Sequence, residues 1–263
     1  VFMKFMIAVD CEGVACVVGE PGGSLTRSLN MTFAREQATR ETNAAICALF
    51  QSGATQVVVW DNHGEGANLL FDQLDSRCEI VLGTGFLRRF PRLDASYTGV
   101  VMIGYHAKAG TTDGVLAHTY CSAAYRCIRV NGAEVGEIAL DGAVAGEFNV
   151  PVICVVSDQH GCDEALQHMP WLETVATKEG FGRHCAWSKH PSAVEREIEQ
   201  AVEHAVATLT EKKPFRFDLP VTMELQFTSW SRCLKAMIRR SGWRLCQAKT
   251  LRKTLSTMLE WQC

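Results

Sequence analysis

The sequence predicts an α/β protein, with a mostly parallel sheet flanked by helices, ligands at the carboxyl ends of the strands, and a smaller second subdomain. Three observations carry that expectation. Short apolar runs at Lys4–Val9, Gln56–Trp60, Gly99–Tyr105 and Pro151–Val156 have the length and continuity of strands buried on both faces. Segments with helical spacing separate or follow them, giving a β-α-β alternation. Each run also ends in polar residues, and open α/β sheets bind ligands beyond the carboxyl ends of their strands.

The first run, Lys4–Val9, stops at Asp10 and gives way to a loop containing Pro21-Gly22-Gly23. From Asn30 to Gln51 the residues Phe33, Ala34, Ala38, Ala44, Ala45, Ala48 and Leu49 recur at helical spacing, closed by Gly53. Gln56–Trp60 turns at Asp61-Asn62-His63-Gly64, and Gly99–Tyr105 ends in His106. Asn131-Gly132 is a hairpin signal inside Tyr125–Val135, followed by a helix over Gly136–Glu147 and the buried strand Pro151–Val156. Ser192–Thr210 reads as a helix and Val221–Phe227 as a half-exposed strand, with Pro214 and Pro220 marking the connector between them. The tail from Ser231 to Cys263 carries eight basic residues against the single acid Glu260, and is expected to form a solvated or subunit-facing basic helix.

No internal repeat or low-complexity segment interrupts the chain. One continuous catalytic unit over 1–263 is expected. If it subdivides, the parts are a metal-binding core over 1–110, a second subdomain over 111–213, and a C-terminal strand and basic helix over 214–263.

A formal net charge of -3 over 263 residues gives no electrostatic case for nucleic acid. The apolar runs fall far short of the ~20 residues of a membrane span, so no membrane partner is expected. The start shows no signal-peptide pattern. The 12 cysteines are scattered through apolar segments without a C-x-x-C pair, which favours free thiols in a reducing cytoplasm over a disulfide framework.

The chemistry gathers at the strand ends. Asp10 and Glu12 follow the first run, His63 the second and His106 the third. In extended chain Asp10 and Glu12 point the same way and Cys11 the other. Two carboxylates facing one site repel unless a cation neutralises them. Imidazole with carboxylate and no thiolate suits zinc, manganese or iron, with zinc favoured, and a bridging carboxylate is a common way to hold two ions. A P-loop, a G-x-G-x-x-G turn and a serine nucleophile elbow are all missing.

The segments Ala8-Val9-Asp10-Cys11-Glu12-Gly13, Trp60-Asp61-Asn62-His63, Gly104-Tyr105-His106-Ala107-Lys108-Ala109 and Val135-Gly136-Glu137 resemble, in order and spacing, the DppA-type D-aminopeptidases of bacterial dipeptide-transport operons. The resemblance runs from about Met3 to Val156, and more loosely to Phe227. It implies two zinc ions per subunit, with Asp10 bridging, Glu12 and His106 on one ion, and His63 and Glu137 on the other. Glu137 would otherwise pass for a favourable charge in a helix's first turn. The resemblance also implies a catalytic histidine at His118, as nucleophile, acid–base group or oxyanion stabiliser. Lys108 is a candidate for a substrate carboxylate, and Asp61 and Asn68 for orienting ligands.

The implied function is hydrolysis of short peptides bearing an amino-terminal D-residue, by metal-activated water, in a homo-oligomer that could be ring-shaped. Two other readings remain open: a binuclear hydrolase of another amide or a phosphoester, and a metal-stabilised assembly protein without activity.

Overall fold

A computed structural model describes residues 2–261. In chain order the elements begin with β1 (Lys4–Val9), α1 (Asn30–Gln51), β2 (Gln56–Asp61), β3 (Glu79–Val81) and β4 (Gly99–Ile103). Next come β5 (Tyr125–Val130), β6 (Ala133–Val135), α2 (Glu137–Glu147), β7 (Val152–Ser157), α3 (Gln159–His168) and β8 (Glu173–Ala176). The chain ends through β9 (Lys178–Gly182), β10 (Cys185–Ser188), α4 (Pro191–Ala207), β11 (Val221–Phe227), α5 (Trp230–Arg239), β12 (Arg244–Gln247) and β13 (Thr250–Leu255).

Six strands form a wholly parallel sheet in the order β3-β2-β1-β4-β7-β8. Its strands are apolar throughout because both faces are covered. Along β1, Phe5, Ile7 and Val9 join the core beneath α1 and α4, while Met6 and Ala8 face the core containing α2 and the second sheet. The chain leaves β1 for β2 and β3 on one side and returns to β4 on the other. The carboxyl ends of β1 and β4 therefore flank a topological switch point, where a crevice opens.

The second sheet is antiparallel, in the order β12-β13-β11-β5-β6. Asn131 and Gly132, at φ 51° and 86°, supply the left-handed pair that turns β5 into β6. Because β7 and β8 extend the parallel sheet, sheet membership cuts across the boundaries expected at 110 and 213.

The tail is not the basic helix expected over 231–263. It comprises α5, a turn at Gly242 (φ 81°), and the hairpin β12–β13, which docks on β11; Gln262 and Cys263 lie outside the described residues. The misleading signal was charge. Arg252 is met across the strands by Glu224, 28 residues earlier, whose carboxylate accepts from its Nε at 2.8 Å.

Candidate metal centre

The site starts with a close backbone approach. Asp10 N–H donates to the Ile103 carbonyl (2.8 Å) and Gly13 N–H to the Gly104 carbonyl (2.7 Å), lacing the loop after β1 to the end of β4. A Cβ at Gly13 would overlap the Tyr105 carbonyl, and one at Gly104, where φ is 70°, would overlap Asp10. Only glycine permits this contact. It brings Asp10 and Glu12 alongside His106.

All five expected ligands are buried and lie together. They form two donor groups, each with ligand atoms close enough to share an ion: Asp10, Glu12 and His63 in one, and His106, His118 and Glu137 in the other. Asp10 reaches both. Its Oδ1 is 2.7 Å from His63 Nδ1, and its Oδ2 is 3.5 Å from His106 Nε2. Glu12 Oε2 lies 3.0 Å from His63 Nδ1, and Glu137 Oε1 3.3 Å from His106 Nε2. The geometry thus partners Glu12 with His63 and Glu137 with His106, whereas the resemblance implied the crossed pairing.

Two buried atoms in the centre, Glu12 Oε2 in one group and His106 Nε2 in the other, have only these ion-pair contacts and no hydrogen bond of proper geometry. An orphaned carboxylate oxygen and imidazole nitrogen are costly to bury, and a divalent cation is the partner that satisfies both. The donor set is also short of positive charge in the form zinc requires, with neutral imidazoles beside carboxylates. The residues fit a divalent metal.

The electrostatics agree. Burial alone would raise the Asp10 carboxyl, but the hydrogen bond and charge of His63, and the charge of His106, hold it well below the usual carboxylate range. Glu137 is lowered too, against its burial, by His106. Burial opposes protonation of His106, yet Glu137, Asp10 and Glu12 push its imidazole up to about 10. His63 is likewise raised well above its ordinary value, despite burial, chiefly by the charge of Glu12. Without an ion the carboxylates hold protons on the ligating imidazoles, so metal binding must displace them.

Neighbouring groups orient the ligands. His106 Nδ1 donates to the Ala107 carbonyl at 3.1 Å, leaving Nε2 directed at the centre. His63 Nε2 lies 3.1 Å from the Thr26 hydroxyl. Asp61 accepts from the Asn68 N–H (2.6 Å) and side-chain amide (2.8 Å), and that amide also donates to the His63 carbonyl, so the two residues steady the His63 loop. Glu137 opens α2, where Gly136 is the cap, and its Oε1 accepts from the Tyr120 N–H at 2.6 Å.

His118 stacks on His106, ring centroids 4.0 Å apart and planes 10° apart. Its Nδ1 donates to the Leu116 carbonyl (2.8 Å), so the neutral ring keeps its lone pair on Nε2. Burial and the charge of His106 lower its pKa. Lys108 belongs to neither donor group. Its N–H donates to Glu164 Oε2 (2.8 Å) and its side chain is half-buried.

Several supporting residues carried no local signal in the sequence. Lys178 is buried, and its Nζ donates to the carbonyls of Glu12 and Val14, each at 2.6 Å, fastening the Glu12 loop from 164 and more residues away. Asp158 caps α3 through Gly161 N–H and also takes Val115 N–H, both at 2.8 Å, which anchors the loop leading to His118. Asp141, one turn beyond Glu137, receives Arg89 through Nε (2.9 Å) and Nη2 (2.6 Å), with Tyr105 (2.8 Å) and Tyr120 (3.1 Å). His190 caps α4 by accepting from Ser192 N–H.

A buried carboxylate–imidazole centre at the switch point of a parallel sheet, with a further histidine stacked on one ligand, defines a metal-dependent hydrolase. The chain belongs to the D-aminopeptidase family, whose model matches residues 3–262, and it is accordingly a metallopeptidase. It is 30% identical over 234 residues to a D-aminopeptidase of Bacillus subtilis (strain 168), covering 87% of this chain and 82% of that protein. Among solved structures it resembles the Zn-dependent D-aminopeptidase DppA from Bacillus subtilis, described as a self-compartmentalizing protease. The TM-score is 0.89 at 26% identity, covering 98% of this chain and 93% of that one. The mostly parallel α/β architecture expected from the sequence matches that fold.

Proposed function

We propose that the chain is a binuclear zinc aminopeptidase that removes an amino-terminal D-residue from short peptides. The observation that carries this reading is the division of Asp10 between two donor groups, one oxygen towards each. Asp10, Glu12 and His63 would hold one ion, and Asp10, His106 and Glu137 the other. Three protein ligands per ion leave a position open, as hydrolysis requires. Such ions supply an activated water and polarise the scissile carbonyl. His118, its Nδ1 tied to Leu116 and its pKa lowered, is suited to accept a proton at Nε2 and pass it to the leaving amine. The D-preference rests on the family and the relatives' names.

The test is direct. Zinc per chain is counted after purification, and turnover is measured on matched D- and L-dipeptides, simple amides and an aryl phosphate. Two zincs and hydrolysis confined to D-dipeptides are expected. Preference for the phosphate or for L-peptides would overturn the substrate reading, and zinc near zero the whole of it.

Two further parts of the reading concern the molecule's surroundings. Self-assembly is supported by the relative's description as self-compartmentalizing and by Trp230, Leu234, Met237 and Ile238, exposed along α5; the ring form rests on the sequence resemblance alone. Light scattering measures the oligomer. A cytoplasmic location is supported by the cysteines, all unpaired among the described residues. Among those residues no helix is long and apolar enough to cross a membrane.

A further inference from the structure

An open cavity of about 760 Å³ is lined by Arg27, Arg183 and Arg232, with His184, Ser24 and Ser122 between them. The three arginines come from three distant parts of the chain, and among the described residues none of them forms an ion pair with a carboxylate. Three arginines and no acidic residue line this concavity, an arrangement that favours an anionic occupant. Guanidinium is also the side chain best shaped for a carboxylate.

Three of the residues lining the cavity are linked, through the chain or a hydrogen bond, to groups that touch the metal centre. Arg27 follows Thr26, whose hydroxyl lies 3.1 Å from His63 Nε2. Arg183 Nη1 donates to the carbonyl of Ala117, the residue before His118, at 2.5 Å. Ser122 is two residues beyond Tyr120, whose N–H holds Glu137. Arg232, in the first turn of α5, lines the same cavity and brings part of the basic tail to it.

We infer that Arg27, Arg183 and Arg232 receive the terminal carboxylate of the peptide substrate, making this a peptidase of short peptides with a free carboxyl end. The inference rests on the aminopeptidase reading above and adds a recognition site for the end of the substrate remote from the metal-bound amine. A single exposed guanidinium gains little against solvent. Three acting on one carboxylate are expected to separate a free acid from its amide by about tenfold in kcat/KM, expressed mainly in KM.

The test compares D-alanyl-D-alanine with D-alanyl-D-alaninamide as substrates of the zinc-loaded full chain. The wild-type protein is expected to favour the free acid about tenfold. The Arg27→Gln/Arg232→Gln double variant should bring the ratio close to one, and Arg27→Glu/Arg232→Glu should turn it towards the amide. Because each ratio is taken within one protein, partial misfolding of a variant does not alter it. Equal turnover of acid and amide by the wild type would overturn this inference while leaving the peptidase reading intact. A ratio unchanged in both double variants would do the same. An amide with a glutamate side chain that matched the free acid would move the site from the peptide's end to its side chain, against the proposal. No turnover of either alanine substrate would sink the peptidase reading and this inference with it.

Discussion

Glu41 offers a prediction whose size follows from its surroundings. It is fully buried on α1, where its Oε1 accepts from Ala15 N–H and from Gln37 Nε2, both at 2.9 Å, while Oε2 has no partner. Burial pushes its carboxyl up to about 7, against the opposing pull of Ala15, Gln37 and Lys178. The folded protein therefore binds a proton that the unfolded chain, titrating near 4.5, has released. A raised folded pKa contributes stability that is complete below 4.5 and lost as pH rises through about 7. The separation from 4.5 to about 7 corresponds to about 3 kcal/mol, at ~1.4 kcal/mol per tenfold. Glu41→Gln keeps the accepting oxygen and removes the titration. Thermal unfolding of both proteins between pH 4.5 and 8 is the assay. The variant should gain on the wild type as pH rises, by roughly 6–12 °C at the upper end, since ~1 kcal/mol moves a protein of this size by about 2–4 °C. Other groups titrate equally in both proteins, so the difference isolates Glu41. Parallel curves would refute the assignment of a buried, protonated carboxyl at this position.

Three more outcomes are expected at the centre itself. Asp10→Asn removes the charge shared by both donor groups, so zinc counted by elemental analysis should fall from two per chain to one or fewer, and kcat/KM by roughly 10³-fold or more; two zincs and full activity would remove Asp10 from its role. His118→Ala should retain its zinc yet lose about 10²–10⁴-fold in kcat, because the stacked ring contributes proton transfer. Loss of zinc instead would make it a ligand. Asp141→Asn removes the buried carboxylate that neutralises Arg89, a loss of about 3–5 kcal/mol visible in denaturant unfolding, and it should weaken zinc retention because Tyr120 steadies Glu137.

The parallel sheet was legible because strands buried on both faces have nowhere to place a charge. Their ends stand out as the first polar residues after an apolar run, and Asp10, Glu12, His63 and His106 were visible for that reason. Glu137 was not, since a carboxylate opening a helix looks like any favourable dipole partner. Its recognition needed the ordered motifs. The pairing of ligands depends on which side chains turn towards each other across the crevice, which spacing does not encode. Lys178 and Asp141 act on residues far away in the chain or on another element, so no local pattern marks them. The tail was misread for a related reason: a run of basic residues suggests a solvated helix until a remote strand supplies Glu224 as partner.

The contact between Gly13 and Gly104 divides the molecule by how much change it tolerates. The ligand frame is carried by main chain pressed against main chain, where a single added methyl group displaces two ligand-bearing loops together. The arginines around the neighbouring cavity sit on a short 3-10 turn, the β9–β10 hairpin and α5, outside that main-chain contact. Selection, natural or in the laboratory, can therefore rewrite which peptide is admitted while the hydrolytic machinery stays fixed. Libraries built for new specificity belong at positions 22–24, 27, 183–184 and 232, with Gly13, Thr26 and Gly104 held constant.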